Sequence, residues 1–365
     1  MPFECGIIGL PNAGKSTLFS ALTSQQVEVG SYPFTTIEPN KGIVPVPDKR
    51  LEQAALVAGC KKITPANLTF VDIAGLVEGA SRGEGLGNQF LAHIREMDIL
   101  LHLVRCFEKP EVARVGKDED PVSQAEIVEL ELAMADLASL EKRREKIERR
   151  LKAGDPKIKE EYHLLQKVMD FLSQGILLKD APLSEKEKKS IAGWQLLTSK
   201  PVLYVLNIDE AYLPEQEARE EIKSFKTWSR KKNAPCLLLS ASLEAELARL
   251  EDEEKAVFLE EYGLKEPALH SLIRTGKSLL KLLSFFTVKG EEARAWAVPQ
   301  GTTAREAAGK VHSDMAKNFI VAEVIFWEDL VNAGSLASAR EKGLLRQEGR
   351  DYLVQDGEVI CFRFH

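Results

Sequence analysis

The sequence has no apolar run of about 18 residues, which excludes a membrane-spanning helix. Its opening, Met1-Pro-Phe-Glu-Cys-Gly, lacks the basic and then apolar regions of a secretory leader, so a cytoplasmic protein is expected. Cysteine is scarce: the five residues Cys5, Cys60, Cys106, Cys236 and Cys361 are odd in number and form no C-x-x-C pair. They read as buried, reduced thiols rather than bridges or zinc ligands. There is no excess of basic charge, since 49 Lys+Arg face 56 Asp+Glu for a net charge of −7. That argues against a protein coated for nucleic acid, while leaving room for a local basic face. No internal repeat, low-complexity tract, paired His/Cys cluster or nucleophile elbow occurs.

What remains is an ordinary globular composition, 44% hydrophobic and 29% charged over 365 residues, long enough for two or three domains. Short continuous apolar runs at Phe3 to Ile8, Leu68 to Val71, Ile99 to Val104, Val202 to Leu206 and Cys236 to Leu239 alternate with helix-like stretches. This pattern predicts an α/β fold with a mainly parallel sheet buried on both faces. The sheet is interrupted by a heptad pattern. Leu130, Ala133, Leu137, Leu140, Arg144, Ile147 and Leu151 are followed, after Ala153-Gly-Asp-Pro156, by Ile158, Tyr162, Leu165, Met169 and Leu172. Two such helices predict an antiparallel coiled coil within one chain, with no need of a dimer, so a monomer is expected.

Beyond Leu279 the texture becomes α+β. Strands are predicted at Ser284 to Val288, Ala293 to Val298, Phe319 to Trp327 and Val359 to Phe364. One clear helix is predicted from Thr303 to Met315, and a turn at Gln355-Asp-Gly-Glu. The expected boundaries are 1–125 with 200–277 for the nucleotide domain, 126–199 for the helical insertion and 278–365 for the C-terminal module.

Gly9-Leu-Pro-Asn-Ala-Gly14-Lys15-Ser16 fits G-x-x-x-x-G-K-[ST] and lies between a strand and an amphipathic helix. Backbone N–H groups of such a loop cradle phosphate oxygens, assisted by the helix N-terminus. Asn12, Ala13, Gly14, Lys15, Ser16 and Thr17 are therefore candidate nucleotide contacts. Lys15 is placed to reach the β- and γ-phosphates, and the Ser16 hydroxyl to ligate Mg²⁺. Asp72, at the end of an apolar run, is the candidate carboxylate on the Mg²⁺ side, and Thr36 in Tyr32-Pro-Phe-Thr35-Thr36 the nucleotide-sensing ligand. Gly75 completes D-x-x-G, permitting a backbone N–H near the γ-phosphate. Leu76 stands where Ras-like proteins carry a water-orienting Gln, which predicts slow intrinsic turnover. Gly75, Gly79, Gly83, Gly85 and Gly87 make the following segment costly to order, as expected of a nucleotide-dependent switch.

The base reader expected of a GTPase is N-K-x-D; here it is Asn207-Ile208-Asp209-Glu210. Ile208 replaces the Lys whose stem stacks on the purine, and Glu210 the Asp that accepts from guanine. Weakened guanine selectivity follows, and adenine becomes a candidate. Ser240-Ala241-Ser242 matches the loop that touches the base from the other side. His102, within a strand, reads as a satisfied core residue.

The chain resembles the Obg-like ATPase family, the YchF group of the Obg branch. The resemblance rests on Gly9 to Ser16, Tyr32 to Asn40, the Gly-rich string Asp72 to Phe90, Asn207 to Glu210 and Gln355 to Ile360. It implies an Obg-type P-loop domain, a coiled-coil insertion and a C-terminal TGS module of β-grasp type. It also implies ATP hydrolysis at least as good as GTP hydrolysis, and ribosome association. The expected partner is the large subunit, with rRNA or tRNA contact through the coiled coil and TGS module. Relatives that place a potassium ion beside an Asn like Asn12 make K⁺ a candidate cofactor beside Mg²⁺. The competing functions are a GTP-specific assembly factor of the same fold, and an ATP-driven enzyme acting on a metabolite.

Overall fold

The computed structural model describes residues 3–24, 40–73, 86–108, 120–151, 155–213 and 219–365. Within it the chain forms two compact units, Phe3–Gly42 with Thr69–Leu269, and Ile43–Leu68 with His270–His365.

In chain order, β1 (Glu4–Ile8) leads through a loop into α1 (Lys15–Ser24). The chain continues through β2 (Lys41–Pro45), α2 (Lys49–Val57), β3 (Lys62–Thr64), β4 (Asn67–Asp72), α3 (Leu86–Glu96) and β5 (Ile99–Cys106). After the helices α4 (Pro121–Leu151), α5 (Pro156–Ser173) and α6 (Glu185–Ala192), the sheet resumes with β6 (Val202–Ile208). There follow α7 (Glu220–Lys231), β7 (Cys236–Leu239), α8 (Ala241–Leu247), α9 (Asp252–Glu261) and α10 (Ala268–Leu279). The strand order is β2-β4-β1-β5-β6-β7. The β4–β1, β1–β5, β5–β6 and β6–β7 pairs are parallel. Both β5 and β6 are buried at every position, as a sheet covered on both faces requires. Register places the C-terminal ends together, with Ile7 opposite Asp72, Ile8 opposite His102, Arg105 opposite Asn207, and Asn207 opposite Leu239. That is the end of a parallel sheet where ligands bind.

The helix α4 serves two cores. Ala125, Val128, Leu132 and Ala135 pack with the sheet residues Tyr204 and Leu206. Ala133, Leu140 and Ile147 pack with Ile158, Leu165, Val168 and Leu172 of α5. Leu130, expected in the heptad seam, is 60% exposed. The reason is that a straight helix drifts away from a strict seven-residue repeat, and this half of α4 turns toward the sheet. The turn before α5 is fixed by Asp155, whose side chain caps the helix ahead of Pro156. Arg143 pairs with Glu161 at 2.6 Å, and Tyr162 donates to Glu148 at 3.2 Å, matching opposite ends of the two helices.

In the second unit, β8 (Leu282–Lys289) and β9 (Glu292–Pro299) form a hairpin. Then come α11 (Ala304–Val311), α12 (Ser313–Lys317), β10 (Phe319–Phe326), α13 (Trp327–Ala333), α14 (Leu336–Glu341), β11 (Arg346–Glu348) and β12 (Glu358–Phe364). The strand order is β11-β10-β12-β8-β9-β3, with β12 parallel to β8 and β3 parallel to β9. A face of α11 formed by Ala304, Ala307 and Ala308 packs on Leu283, Phe285, Val324 and Ile360.

Three expectations are corrected here. Residues 43–68, assigned to the nucleotide domain, belong to this unit, because β3 pairs with β9 and Arg50 pairs with Asp356 at 2.6 Å. The helix predicted from Thr303 to Met315 breaks at His312, whose extended backbone caps α12. Trp327 opens α13 instead of closing a strand, so this region carries several helices rather than one.

The cysteines form no disulfide, and Cys5 and Cys106 are buried. Cys361, expected to be buried, is exposed, because it lies on the side of β12 opposite the Ile360 and Phe362 face that packs in the core. Among the described residues, no helix is long and apolar enough to cross a membrane, and no cluster of His, Cys, Asp and Glu could hold a metal ion.

Candidate nucleotide site

The loop between β1 and α1 can only be built from these residue types. Gly9 has φ +149°, and a Cβ there would stand 2.3 Å from the Leu103 carbonyl oxygen. Gly14 has φ +97°, and its Cβ would stand 2.3 Å from Nδ2 of Asn207. Asn12 takes the left-handed conformation (φ 61°), one that Asn tolerates better than most residues. Ala13 is buried, and Thr17 is exposed in the first turn of α1. The first N–H groups of α1 have no partner carbonyl within the helix, and they carry its positive partial charge toward this loop.

Lys15 is buried at 8% exposure and donates to the carbonyls of Leu10 (2.9 Å) and Gly9 (3.2 Å). Burial pulls its ammonium below the ordinary lysine range, and the negative charge of Asp72 opposes that shift. Ser16 donates its hydroxyl to Asp72 at 3.0 Å, so the two predicted metal-side residues meet at the mouth of the loop. Both present hard oxygen atoms, the donor type Mg²⁺ takes, and this pair fits that ion. Thr36, Gly75 and Leu76 lie outside the described residues, as do Gly79, Gly83 and Gly85; Gly87 falls within α3.

Asn207 joins the two halves of the site. Its Nδ2 donates to the Ala13 carbonyl at 2.9 Å, and its Oδ1 accepts from the Ala241 N–H at 2.9 Å. One buried amide thus ties the phosphate loop to the loop that opens α8. Glu210 accepts from Ser242 at 2.8 Å and from Ser240 at 3.1 Å, both at Oε2. Ser240 is also the N-cap of α8. Ile208 needs correction: it is 1% exposed in the apolar cluster around Leu206 and Leu213, so it backs the loop rather than presenting a stacking stem.

Two buried titratable groups flank these loops. His102 is held neutral, its pKa lowered to about 3 by burial and then by the charges of Lys15 and Lys232, in line with a core role. Glu244 in α8 is 2% exposed and accepts from the backbone N–H groups of Ala268 (2.7 Å) and Leu269 (3.3 Å) at the start of α10. Burial pushes its carboxyl up to about 7. Sequence reasoning passed over Ser242 as a partner of Glu210, although the Ser-x-Ser spacing after a strand was visible. Glu244 gave no signal, since an acidic residue in a helix's first turn is usually solvated.

Residues 4–144 match the family described as "50S ribosome-binding GTPase", and residues 282–365 match the YchF-GTPase C-terminal family, described as a protein of unknown function. The "Ribosome-binding ATPase YchF" of Haemophilus ducreyi is 44% identical over 365 residues, covering 100% of each chain. The protein of the same name from Bacillus subtilis is 42% identical, also with full coverage of both. The solved structure of the Schizosaccharomyces pombe YchF GTPase matches with a TM-score of 0.88 at 32% identity, covering 99% of this chain and 97% of that one. With that identity sustained from end to end, the chain belongs to the YchF family.

Proposed function

We propose that this protein is a ribosome-associated nucleotide switch that binds ATP in preference to GTP and hydrolyses it slowly. One observation carries the reading: Lys15, the Ser16–Asp72 pair and the Asn207–Glu210 reader converge at the C-terminal end of one parallel sheet. The relatives named as ribosome-binding ATPases support both the nucleotide and the partner.

Ser16, Asp72 and Thr36 would hold Mg²⁺, which, when bound, neutralises charge on the phosphates. Lys15 exchanges the carbonyls of Gly9 and Leu10 for phosphate oxygens and stabilises charge developing on them, together with the N–H groups of Gly14 to Thr17. Leu76 orients no water, so intrinsic turnover is slow and awaits a partner. A potassium ion beside Asn12 belongs to the same proposal, and equal turnover in potassium and sodium buffers removes it.

The helical arm formed by α4 and α5 and the C-terminal TGS module are the proposed contacts with the large ribosomal subunit, for a monomeric cytoplasmic protein. Lys142, Lys146, Arg149 and Arg150 on α4, with Lys157 and Lys159 on α5, are exposed, as backbone contact to RNA requires. Phosphate release from ATP and GTP, with and without purified ribosomes, tests the proposal. It predicts faster release from ATP and stimulation by ribosomes that weakens with salt. Equal rates with and without ribosomes would refute the switch.

A further inference from the structure

The sheet-facing half of α4 is fastened by polar side chains at three places where a helix that merely packs would be apolar. At its start the Gln124 amide brackets one residue of β5. Its Oε1 accepts from the Arg105 N–H at 3.2 Å, and its Nε2 donates to the Arg105 carbonyl at 3.0 Å. Further along, Glu129, 7% exposed, accepts from the Tyr204 hydroxyl of β6 and from Lys232. Then Asp136, 0% exposed, accepts from the Leu197 N–H at 3.0 Å and from the N–H and hydroxyl of Thr198, both at 2.8 Å. Burying carboxylates is unfavourable beside packing apolar side chains, and directional bonds add what apolar contacts lack, a fixed register of helix against sheet.

The same helix runs on into the arm. Asp136 stands where its two sets of packing contacts meet, Leu132 and Ala135 in the sheet core and Leu140 and Ile147 in the core shared with α5. The start of α4 meets the nucleotide site. Arg105 lies opposite Asn207 in register, and the Asn207 amide joins the phosphate loop to the loop that opens α8. On the same strand end, the Leu103 carbonyl oxygen is the atom that a Cβ on Gly9 would strike. The end of β5 that Gln124 brackets is therefore the floor on which the phosphate loop rests.

We infer that Gln124 is a positioning residue for hydrolysis, one that passes a displacement of α4, imposed by a partner on the helical arm, to the end of β5 beneath the phosphate loop. The inference rests on the reading of that arm as the ribosome contact. From Pro121 to Leu151 the helix is unbroken, so a push on the arm reaches Gln124 through one hydrogen-bonded backbone. Helix shifts of about 1–2 Å are the scale on which packed elements pass such signals. Gln124 acts through the backbone of Arg105, so its removal bears on the stimulated rate and not on ATP binding. Gln124→Ala removes both bonds from a helix position that favours Ala. Gln124→Glu keeps an acceptor for the Arg105 N–H and loses the donor to its carbonyl.

The test is phosphate release by the full chain over a range of ATP concentrations, with and without purified ribosomes, for the native protein, Q124A and Q124E. Ribosome co-sedimentation and a thermal scan accompany it. In Q124A the ribosome-dependent increase in kcat is expected to fall by about fivefold or more, the lower end of ordinary coupling between sites. The rate without ribosomes, KM for ATP and co-sedimentation are expected to stay within about twofold of native, and Q124E to lie between the two proteins. A stimulated kcat in Q124A within about twofold of native overturns the inference and leaves ribosome stimulation standing. A fall matched by the rate without ribosomes, or by lost co-sedimentation, overturns it too, since it marks a structural role. If the native protein is not stimulated, the reading of the arm falls and the inference with it. If the scan shows Q124A unfolded, Q124E decides by the same limits.

Discussion

In the nucleotide unit Glu210 accepts from two serine hydroxyls. In the C-terminal unit Glu358 accepts from the Tyr352 hydroxyl (2.5 Å), an Arg346 guanidinium (2.7 Å) and the Gln355 N–H (2.9 Å). Glu358 is 0% exposed, whereas Glu210 is only half-buried. Beside Glu358, burial works against the charge of Asp356, yet Arg50, the Ser284 N–H and Lys277 hold its carboxyl below the ordinary range. A full positive charge and a closed shell of donors make the Gln355-Asp-Gly-Glu358 turn a structural clasp. The donors to Glu210 include two neutral hydroxyls, those of Ser240 and Ser242, at the C-terminal end of the parallel sheet. Both stretches stood out in the sequence as family signatures, and only their neighbours in the fold tell the two carboxylates apart.

The comparison breaks most visibly at Lys15. Lys15→Ala should lower the turnover of bound ATP by about 100-fold or more, the scale of removing a charge-stabilising donor, with the melting transition of the C-terminal unit unmoved. Single-turnover phosphate release beside a thermal scan reads both. A smaller loss would mean that Lys15 is a structural hook on Gly9 and Leu10.

The converse variant is Glu358→Ala, which leaves the Tyr352 hydroxyl, Arg346 and the Gln355 N–H without their acceptor. It should cost about 2–4 kcal/mol of stability while nucleotide affinity is unchanged. Denaturant unfolding followed by titration of the folded protein checks it. A matching loss of affinity at full occupancy would erase the distinction between the two carboxylates.

A third test sharpens the contrast through pH. Glu244 holds a proton up to about pH 7 in the folded chain, against an ordinary value of 4.5. The folded state thus binds more protons than the unfolded state between those values, and stability falls as pH rises through them. From pH 5 to pH 8 this group should remove on the order of 1–3 kcal/mol, a slope that Glu244→Gln flattens. Urea midpoints at the two pH values measure it, and an unchanged slope would show that the Glu244 carboxyl titrates normally.

Much of the nucleotide site was legible because its information is local. The spacing from Gly9 to Ser16 encodes one loop, and the apolar runs of β1, β4, β5, β6 and β7 encode a sheet whose strand ends gather Asp72 and Asn207. The bond from Ser242 to Glu210 was not legible, since the two are 32 positions apart and only the β6–β7 register brings them near. The assignment of 43–68 failed for a related reason: β3 is three residues long and its partners lie about 230 positions on, as in the Lys61–Glu291 pair. Leu130 and Ile208 misled because a heptad position and a motif position each acquire a different neighbour from the packed sheet. Thr36, Gly75 and Leu76 remain sequence expectations.

The most direct measurement is calorimetric titration of the purified, nucleotide-free native protein with non-hydrolysable ATP and GTP analogues in Mg²⁺ and potassium. Clear preference for the ATP analogue is expected, in keeping with Asn207-Ile208-Asp209-Glu210 in place of N-K-x-D. Preference for the GTP analogue would contradict it and return Asn207 to Glu210 to a conventional guanine reader.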